Sequence, residues 1–169
     1  MQTDPRFSLV FAKKKKEFAV PAPLAPIADT HAHLMSFWDK DPAEAIARAA
    51  LAGVRQMTTI WDPLADHRDA ATYHQLVGWI DQAKDLLDQA LAAGVAPLEP
   101  AGELIGPCAD AWDSNPRALL SRISFLAGVH PYGAPEYTDD VHAQVLEALD
   151  SPLCSGVGEI GLDYHFDAE

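Results

Sequence analysis

The chain has 169 residues, a net charge of −13 and a hydrophobic content of 49%, which suits one globular domain with its own core. It contains no apolar run of the roughly 18–20 residues that cross a membrane, and we expect no signal peptide. The acidity argues against broad, non-specific binding of nucleic acid, which needs a basic face. A phosphate-bearing substrate remains compatible, because bound divalent metals reverse the local charge.

The charge is unevenly distributed. Residues 1–20 carry five Lys or Arg and two Asp or Glu, which leaves +3 on this segment and −16 on the remainder. The four lysines at residues 13–16 are compatible with electrostatic attraction of nucleic acid to the protein. The simpler interpretation is that they belong to a solvated N-terminal extension. We interpret residues 1–24 as an N-terminal tail. Cys108 and Cys154 match no metal or redox spacing, so we expect reduced cysteines and a cytoplasmic protein.

Turn and cap residues predict alternating strands and helices. Asp41 followed by Pro42 is typical of a helix start, and Gly53 is typical of its end. Prolines and glycines interrupt residues 94–116, so no regular element is predicted there. Trp112 is the candidate for the side chain that holds this segment in place. In chain order, we predict strands over residues 26–31, 54–61, 125–130 and 155–162, and helices over 42–51, 71–93, 117–122 and 138–149.

This alternation indicates parallel strands joined by right-handed helical crossovers, with apolar strands buried on both faces. In such folds the chemistry gathers at the carboxyl ends of the strands. Polar residues follow that rule at four predicted strands: His31 with His33, Asp62, His130 and Glu159. We therefore expect an α/β fold with a functional site on one rim of a parallel sheet.

A divalent-metal site is indicated by two of these groups. His31 and His33 are two residues apart near the end of a strand, so their imidazoles face the same way. Imidazole is the commonest protein ligand of zinc and similar ions. Glu159 falls inside the predicted fourth strand, where a lone carboxylate is costly unless it is paired or bound to a metal.

Three motifs resemble the TatD family of metal-dependent hydrolases. They are Asp-Thr-His-Ala-His-Leu at residues 29–34, Gly-Val-His-Pro at 128–131 and Gly-Glu-Ile-Gly-Leu-Asp-Tyr at 158–164. The resemblance extends from about residue 27 to the last residue, and the third motif is the most specific. It implies a (β/α)8 TIM barrel, related to the amidohydrolases, with one or two divalent metal ions (Mg, Mn or Zn). It also implies hydrolysis of phosphodiesters, typically as a DNase acting on nucleic acid.

Family barrels have eight strands and roughly 250 or more residues, whereas four barrel strands are predicted here. The resemblance implies that two further histidines and an aspartate come from later strands. We therefore expect residues 25–169 to form the N-terminal half of the barrel, with about the first four β/α units. Alone, this half is expected to bind metal weakly, to hydrolyse nothing measurable and to associate through unpaired sheet edges.

The resemblance also assigns roles to individual residues. It implies that His31, His33 and Glu159 are metal ligands, with Glu159 bridging two ions, and that His130 stands near the substrate. Family members often have a second histidine after the proline of that motif, where this chain has Tyr132. The structural alternative for the two histidines is a pair of polar groups satisfied at a strand end. For Glu159 it is an exposed strand end or an ion pair, and for His130 it is a role in the fold.

Four further residues are candidates for positioning a ligand or substrate or for shaping the site. Asp29 precedes the histidines by two residues and can orient one of them by a hydrogen bond, or simply cap the strand end. Asp163 and Tyr164 end the third motif and either face the cleft or serve the fold. Asp62 either shapes the pocket or caps the turn at Pro63.

Two other functions stay open. A metal site of this kind also polarises a carbonyl group. The alternative to phosphodiester hydrolysis is therefore an amidohydrolase-like reaction on a small molecule or an acyl ester. The chain is otherwise an inactive truncated fragment, or an interaction module whose open barrel edge is covered by a partner.

Overall fold

The computed structural model describes residues 4–36, 40–65 and 72–161; the predicted site residues Asp163 and Tyr164 lie outside these ranges. Its strands are β1 (Val10–Lys13), β2 (Lys16–Ala19), β3 (Ile27–Ala32), β4 (Val54–Trp61), β5 (Ile123–Ala127) and β6 (Cys154–Val157). Its α-helices are α1 (Pro42–Leu51), α2 (Thr72–Ala92), α3 (Pro107–Ala111) and α4 (Asp139–Leu149). Within the described residues, no helix is long and apolar enough to span a membrane.

Strands β3 to β6 form one parallel sheet in the order β3-β4-β5-β6, which confirms the predicted α/β class. Each strand lies beside the next one in sequence, as is usual for strands joined by short connections. Strands β5 and β6 pair Phe125 with Cys154 and Ala127 with Val157, with a register shift after Phe125. The carboxyl ends of all four strands therefore share one edge of the sheet.

Cap residues position the helices as predicted. The Asp41 carboxylate accepts hydrogen bonds from the Ala43 and Glu44 amides, and Pro42 opens α1. The Thr138 hydroxyl accepts from the Val141 amide at the start of α4. These bonds satisfy amides that have no partner within the helix.

The chain folds as two compact units, each with its own core. The first comprises Met1–Asp29, Asp39–Met57 and Val77–Arg122, and the second Thr30–Trp38, Thr58–Leu76 and Ile123–Glu169. In the first, α1 packs against the 3-10 helices Pro5–Phe7 and Pro116–Arg122; in the second, α4 packs against β5 and β6. Fully buried side chains include Ile46, Leu51, Leu87 and Leu119 in the first unit and Trp61, Leu76 and Phe125 in the second.

Residues 1–24, interpreted above as a tail, contain regular secondary structure. Strands β1 and β2 form an antiparallel hairpin, with Phe11 opposite Phe18. Lys14 and Lys15 form its turn with φ of +50° and +64°. The sequence lacks the Asn-Gly or Asp-Gly pair that usually announces such a turn, which explains why the local pattern does not predict the hairpin.

The prediction of strands buried on both faces is correct for β4 but wrong for the outer strands. Five of the six residues of β3 are exposed, and β6 alternates between half-buried and exposed residues. In the sheet order, β3 and β6 each have one neighbouring strand. Ile27 and Val157, 42% and 53% exposed, are apolar residues of these outer strands.

Trp112 anchors the segment that the sequence pattern leaves without a clear assignment. The Arg55 guanidinium stacks over its ring at 4.5 Å and donates hydrogen bonds to the carbonyls of Asp113 and Ala50. Arg55 is 2% exposed, and this burial lowers its pKa. The tryptophan and the carbonyls thus hold residues around 112 against the start of β4.

Tyr73 is a buried tyrosine in the second unit whose ionisation affects stability. Its ring packs against Trp61 and Phe125, and its hydroxyl donates to the Glu147 carboxylate at 3.2 Å. Burial, followed by the hydrogen bond to Glu147 and the charge of that carboxylate, raises the pKa of Tyr73 to about 12. Because the ordinary tyrosine pKa is about 10, the neutral form stabilises the fold below pH 10 and this contribution is lost towards pH 12.

Replacing Tyr73 with Phe tests this coupling. The stability advantage of wild type over Tyr73→Phe should shrink by about 2 kcal/mol between about pH 9 and about pH 11.5, because Phe cannot ionise. Urea unfolding at the two pH values measures the difference. Tyr137→Phe, at an exposed tyrosine, is the control and should keep the wild-type pH dependence. A pH-independent difference for Tyr73→Phe would contradict the raised pKa.

Candidate metal centre

His31, His33 and Glu159 converge into a cluster, called here the His–Glu cluster. One ligand atom from each residue lies within 4.8 Å of the other two. His31 Nε2 is 3.3 Å from Glu159 Oε1, and the two imidazole rings are 4.9 Å apart between centroids. Two ligands of one tetrahedral ion at roughly 2.1 Å are about 3.4 Å apart, so the donor set and its spacing fit a divalent ion. The same contact is an ion pair when His31 is protonated.

The cluster joins the two outer strands of the sheet. His31 lies in β3 and His33 directly follows it, while Glu159 comes two residues after β6. In a flat sheet these strands are about 14 Å apart, at roughly 4.8 Å for each step. The long imidazole and carboxylate side chains therefore bridge across the carboxyl ends of the middle strands.

The placement of Glu159 differs from the prediction of a carboxylate inside a strand. Strand β6 ends at Val157, and the Gly158–Glu159 peptide bond is cis. The Glu159 side chain is 30% exposed and that of His31 is 57% exposed. The Glu159 carboxylate is therefore not buried inside a strand, and the expected cost of burying its charge does not arise. An ion can reach the cluster from solvent.

Asp62 connects the ends of the two middle strands. It follows β4 directly, is 7% exposed, and accepts hydrogen bonds from the Leu64 and Ala65 amides through Oδ1. Its Oδ2 accepts from the His130 amide at 2.9 Å. Asp62 therefore caps the Pro63 turn, as one of the predicted alternatives has it, and also fixes the backbone of His130.

The His130 ring is oriented by its own loop. Its Nδ1 accepts a hydrogen bond from the Tyr132 amide at 3.2 Å, which leaves Nε2 as the protonated nitrogen of the neutral ring. The two rings are 4.4 Å apart between centroids. Among the described residues, no fourth His, Cys, Asp or Glu belongs to the His–Glu cluster, and His130 and Asp29 lie outside it.

Backbone hydrogen bonds tie the strand ends together beneath the cluster. The Gly128 amide donates to the Trp61 carbonyl at 3.1 Å, and the Gly158 amide donates to the Ala127 carbonyl at 3.0 Å. After β3, the Leu34 amide donates to the buried Thr59 hydroxyl at 3.1 Å. Each segment that carries a cluster residue is therefore fixed to a neighbouring strand.

Gly128 is a positioning residue that the sequence alone did not reveal. A Cβ atom at this position would lie 2.8 Å from the Gly158 carbonyl carbon and 2.9 Å from the Glu159 carbonyl oxygen. Both neighbours are backbone atoms, which cannot rotate away. Only a glycine therefore allows the segment bearing Glu159 to approach β5 so closely. The glycines in the second and third motifs are the sequence feature that could have indicated this close approach.

Replacing Gly128 with Ala should push the Gly158–Glu159 segment away. We expect about 1–3 kcal/mol of lost stability and about 10-fold weaker metal binding, because the carboxylate moves relative to the histidines. Calorimetric metal titration and urea unfolding measure the two effects. Gly102→Ala, where an added Cβ meets nothing within 4 Å, is the matched control. Unchanged metal affinity in Gly128→Ala would rule out the positioning role.

The comparison with known proteins agrees with this geometry. The sequence model of the family described as TatD related DNase matches residues 28–169, which include the whole His–Glu cluster. A parallel α/β sheet with imidazole and carboxylate donors at its strand ends is typical of metal-dependent hydrolases. Within that class, the chain belongs to the TatD related DNase family. No curated protein matches the chain significantly.

Proposed function

We propose that this protein hydrolyses phosphodiester bonds, with DNA as the substrate, using one or two divalent metal ions held by the His–Glu cluster. The observation that carries the proposal is the convergence of His31, His33 and Glu159 within 4.8 Å in a member of this family. The acidity of the chain is compatible with a phosphate substrate, because a bound divalent ion makes the local charge positive.

The cluster residues have distinct proposed tasks. The imidazoles of His31 and His33 would hold a divalent ion through their lone pairs, and the Glu159 carboxylate would add the negative charge that favours one or two such ions. Bound divalent ions supply such a site with an activated water nucleophile and neutralise the charge that develops on phosphorus. The protein contributes the fixed separation of the three donors, since each is carried on a hydrogen-bonded strand end.

His130 is the proposed substrate contact. With Nδ1 accepting from the Tyr132 amide, Nε2 carries the proton and can donate it in a hydrogen bond to a phosphate oxygen. Asp62 supports this role indirectly, because it holds the His130 backbone. We further propose that Asp29 orients a cluster histidine and that Asp163 and Tyr164 line the cleft.

A substrate panel tests the proposed reaction. The protein as its gene encodes it, freed of metal by a chelator, is supplied with Mg²⁺, Mn²⁺ or Zn²⁺ and given single- and double-stranded DNA, a small phosphodiester, an acyl ester and an amide. Metal-dependent cleavage of the phosphodiesters is expected. Cleavage of the ester or amide alone would replace the proposal by the amidohydrolase-like alternative. No metal-dependent hydrolysis of any substrate would overturn it.

The proposed (β/α)8 barrel makes a separate prediction about association. A barrel with more strands than the four described here would cover the exposed outer strands β3 and β6. Residues 1–169 alone should therefore associate, as light scattering would detect. Val157→Lys, in β6, should reduce association. Leu146→Lys, at a similarly exposed residue of α4, should not. A stable wild-type monomer would contradict this expectation.

A further inference from the structure

The N-terminal hairpin, β1 and β2 with their turn, presents an exposed pair of aromatic rings. Phe11 and Phe18 are direct partners in the ladder. Their rings stack at 5.3 Å and 20°, and the residues remain 48% and 42% exposed. The two rings together form one exposed aromatic patch on the hairpin.

Exposed lysines lie at the turn of the hairpin and beside this aromatic pair. Lys14, Lys15 and Lys16 are exposed, the first two at the turn. Lys16 precedes Phe18 by two residues in β2, so strand alternation places it on the face of the rings, whereas Glu17 faces the other way. Residues 10–19 contain four Lys and one Glu, a local charge of +3 in a chain whose net charge is −13.

We propose that this hairpin binds single-stranded nucleic acid. Aromatic rings offer stacking surfaces to bases of any sequence, and lysines alongside them bind the phosphates between those bases. A single strand is favoured over a duplex, because bases in a duplex are already stacked on each other. This inference rests on the proposed function in one respect: DNA is taken as the nucleic acid that the hairpin binds.

The same residues could in principle serve an anionic membrane surface, but the observations favour nucleic acid. Two half-exposed rings bury little apolar area in a lipid interface, where stable attachment needs a larger apolar face or a lipid chain. Nearly parallel rings, with Lys16 on their face and Lys14 and Lys15 at the adjoining turn, match a chain of bases that alternate with phosphates.

Binding is measured without turnover. Fluorescence anisotropy of a labelled oligothymidylate of about 15 nucleotides reports affinity for the full protein in chelator, so failure here is independent of failure in the hydrolysis assay. Lys14→Gln/Lys15→Gln/Lys16→Gln should weaken binding about 10-fold or more at low salt and reduce the salt slope by about 2. The control Lys40→Gln/Lys84→Gln/Arg122→Gln removes the same charge from exposed residues elsewhere and should retain affinity within about twofold.

The aromatic pair is tested by Phe11→Leu/Phe18→Leu, which keeps apolar area but removes the ring faces. This variant should bind DNA at least about fivefold more weakly, with circular dichroism and urea unfolding confirming that it is folded. The proposal is overturned if wild type does not bind the oligonucleotide, if the leucine variant binds as well as wild type, or if both charge variants weaken binding equally. Binding of wild type and the leucine variant to phosphatidylserine vesicles, without binding to DNA, would assign the surface to lipid instead.

Discussion

Glu159→Gln is expected to reduce metal-dependent hydrolysis about 100-fold or more while leaving the fold nearly intact. Glutamine keeps the shape of the side chain but removes the negative charge that the proposed site needs beside His31, 3.3 Å away. Because Glu159 is partly exposed and lies beyond the end of β6, its neutralisation removes no core packing. Initial rates on the phosphodiester substrate, with unfolding curves for both proteins, measure the two effects.

The control for this substitution is Glu136→Gln. Glu136 is an exposed carboxylate at the end of the 3-10 helix Pro131–Glu136 and does not belong to the His–Glu cluster. It should keep wild-type rates with the same change in net charge. Wild-type turnover in Glu159→Gln would eliminate the bridging role of this carboxylate, whatever the activity of the control.

Loss of either cluster histidine should weaken metal binding about 100-fold or more, because the cluster has only two imidazole donors among the described residues. His31→Ala and His33→Ala each remove one of the three donors of the His–Glu cluster and leave one imidazole and one carboxylate there. Isothermal titration of the metal-free protein with Zn²⁺ or Mn²⁺ gives the affinities. The stabilisation that the metal confers on wild type should disappear in parallel.

His74→Ala is the matched control for the histidine variants. His74 is an exposed histidine of α2, and its Nε2 lies 3.7 Å from the Glu147 carboxylate, so it shares the residue type and an acidic neighbour. It should retain wild-type metal affinity. If all three variants bind metal equally well, the ions bind elsewhere and the proposed centre is wrong.

Local signals predict the elements of this fold well. The Asp41 and Thr138 caps, the glycine after α1 and the apolar spacing of α2 each act within a few residues, so the bounds of three helices can be predicted to within about two residues. The order of strands and helices then indicates a parallel sheet, because short crossovers leave few alternatives. Histidines two apart at the end of a strand likewise predict a metal site from neighbouring residues alone.

Other features depend on atoms that are distant in sequence. The contact of Gly128 with the Gly158–Glu159 backbone and the bond from the His130 amide to Asp62 join different strands. No local pattern encodes such contacts, since they exist only once the strands are paired. Strand β6 likewise ends at Val157 although apolar residues continue after it, so the local pattern did not predict this end.

The sequence by itself determined the α/β alternation, the helix caps and the chemical identity of the donors, because periodicity, capping and ligand chemistry reside in neighbouring residues. Only the tertiary structure decided that the donors of the two outer strands meet, and that Phe11 and Phe18 form an exposed pair beside the lysines. The physical reason is that side chains converge through strand pairing and close backbone contacts, whose geometry is set by the packing of the whole sheet or hairpin rather than by any one segment.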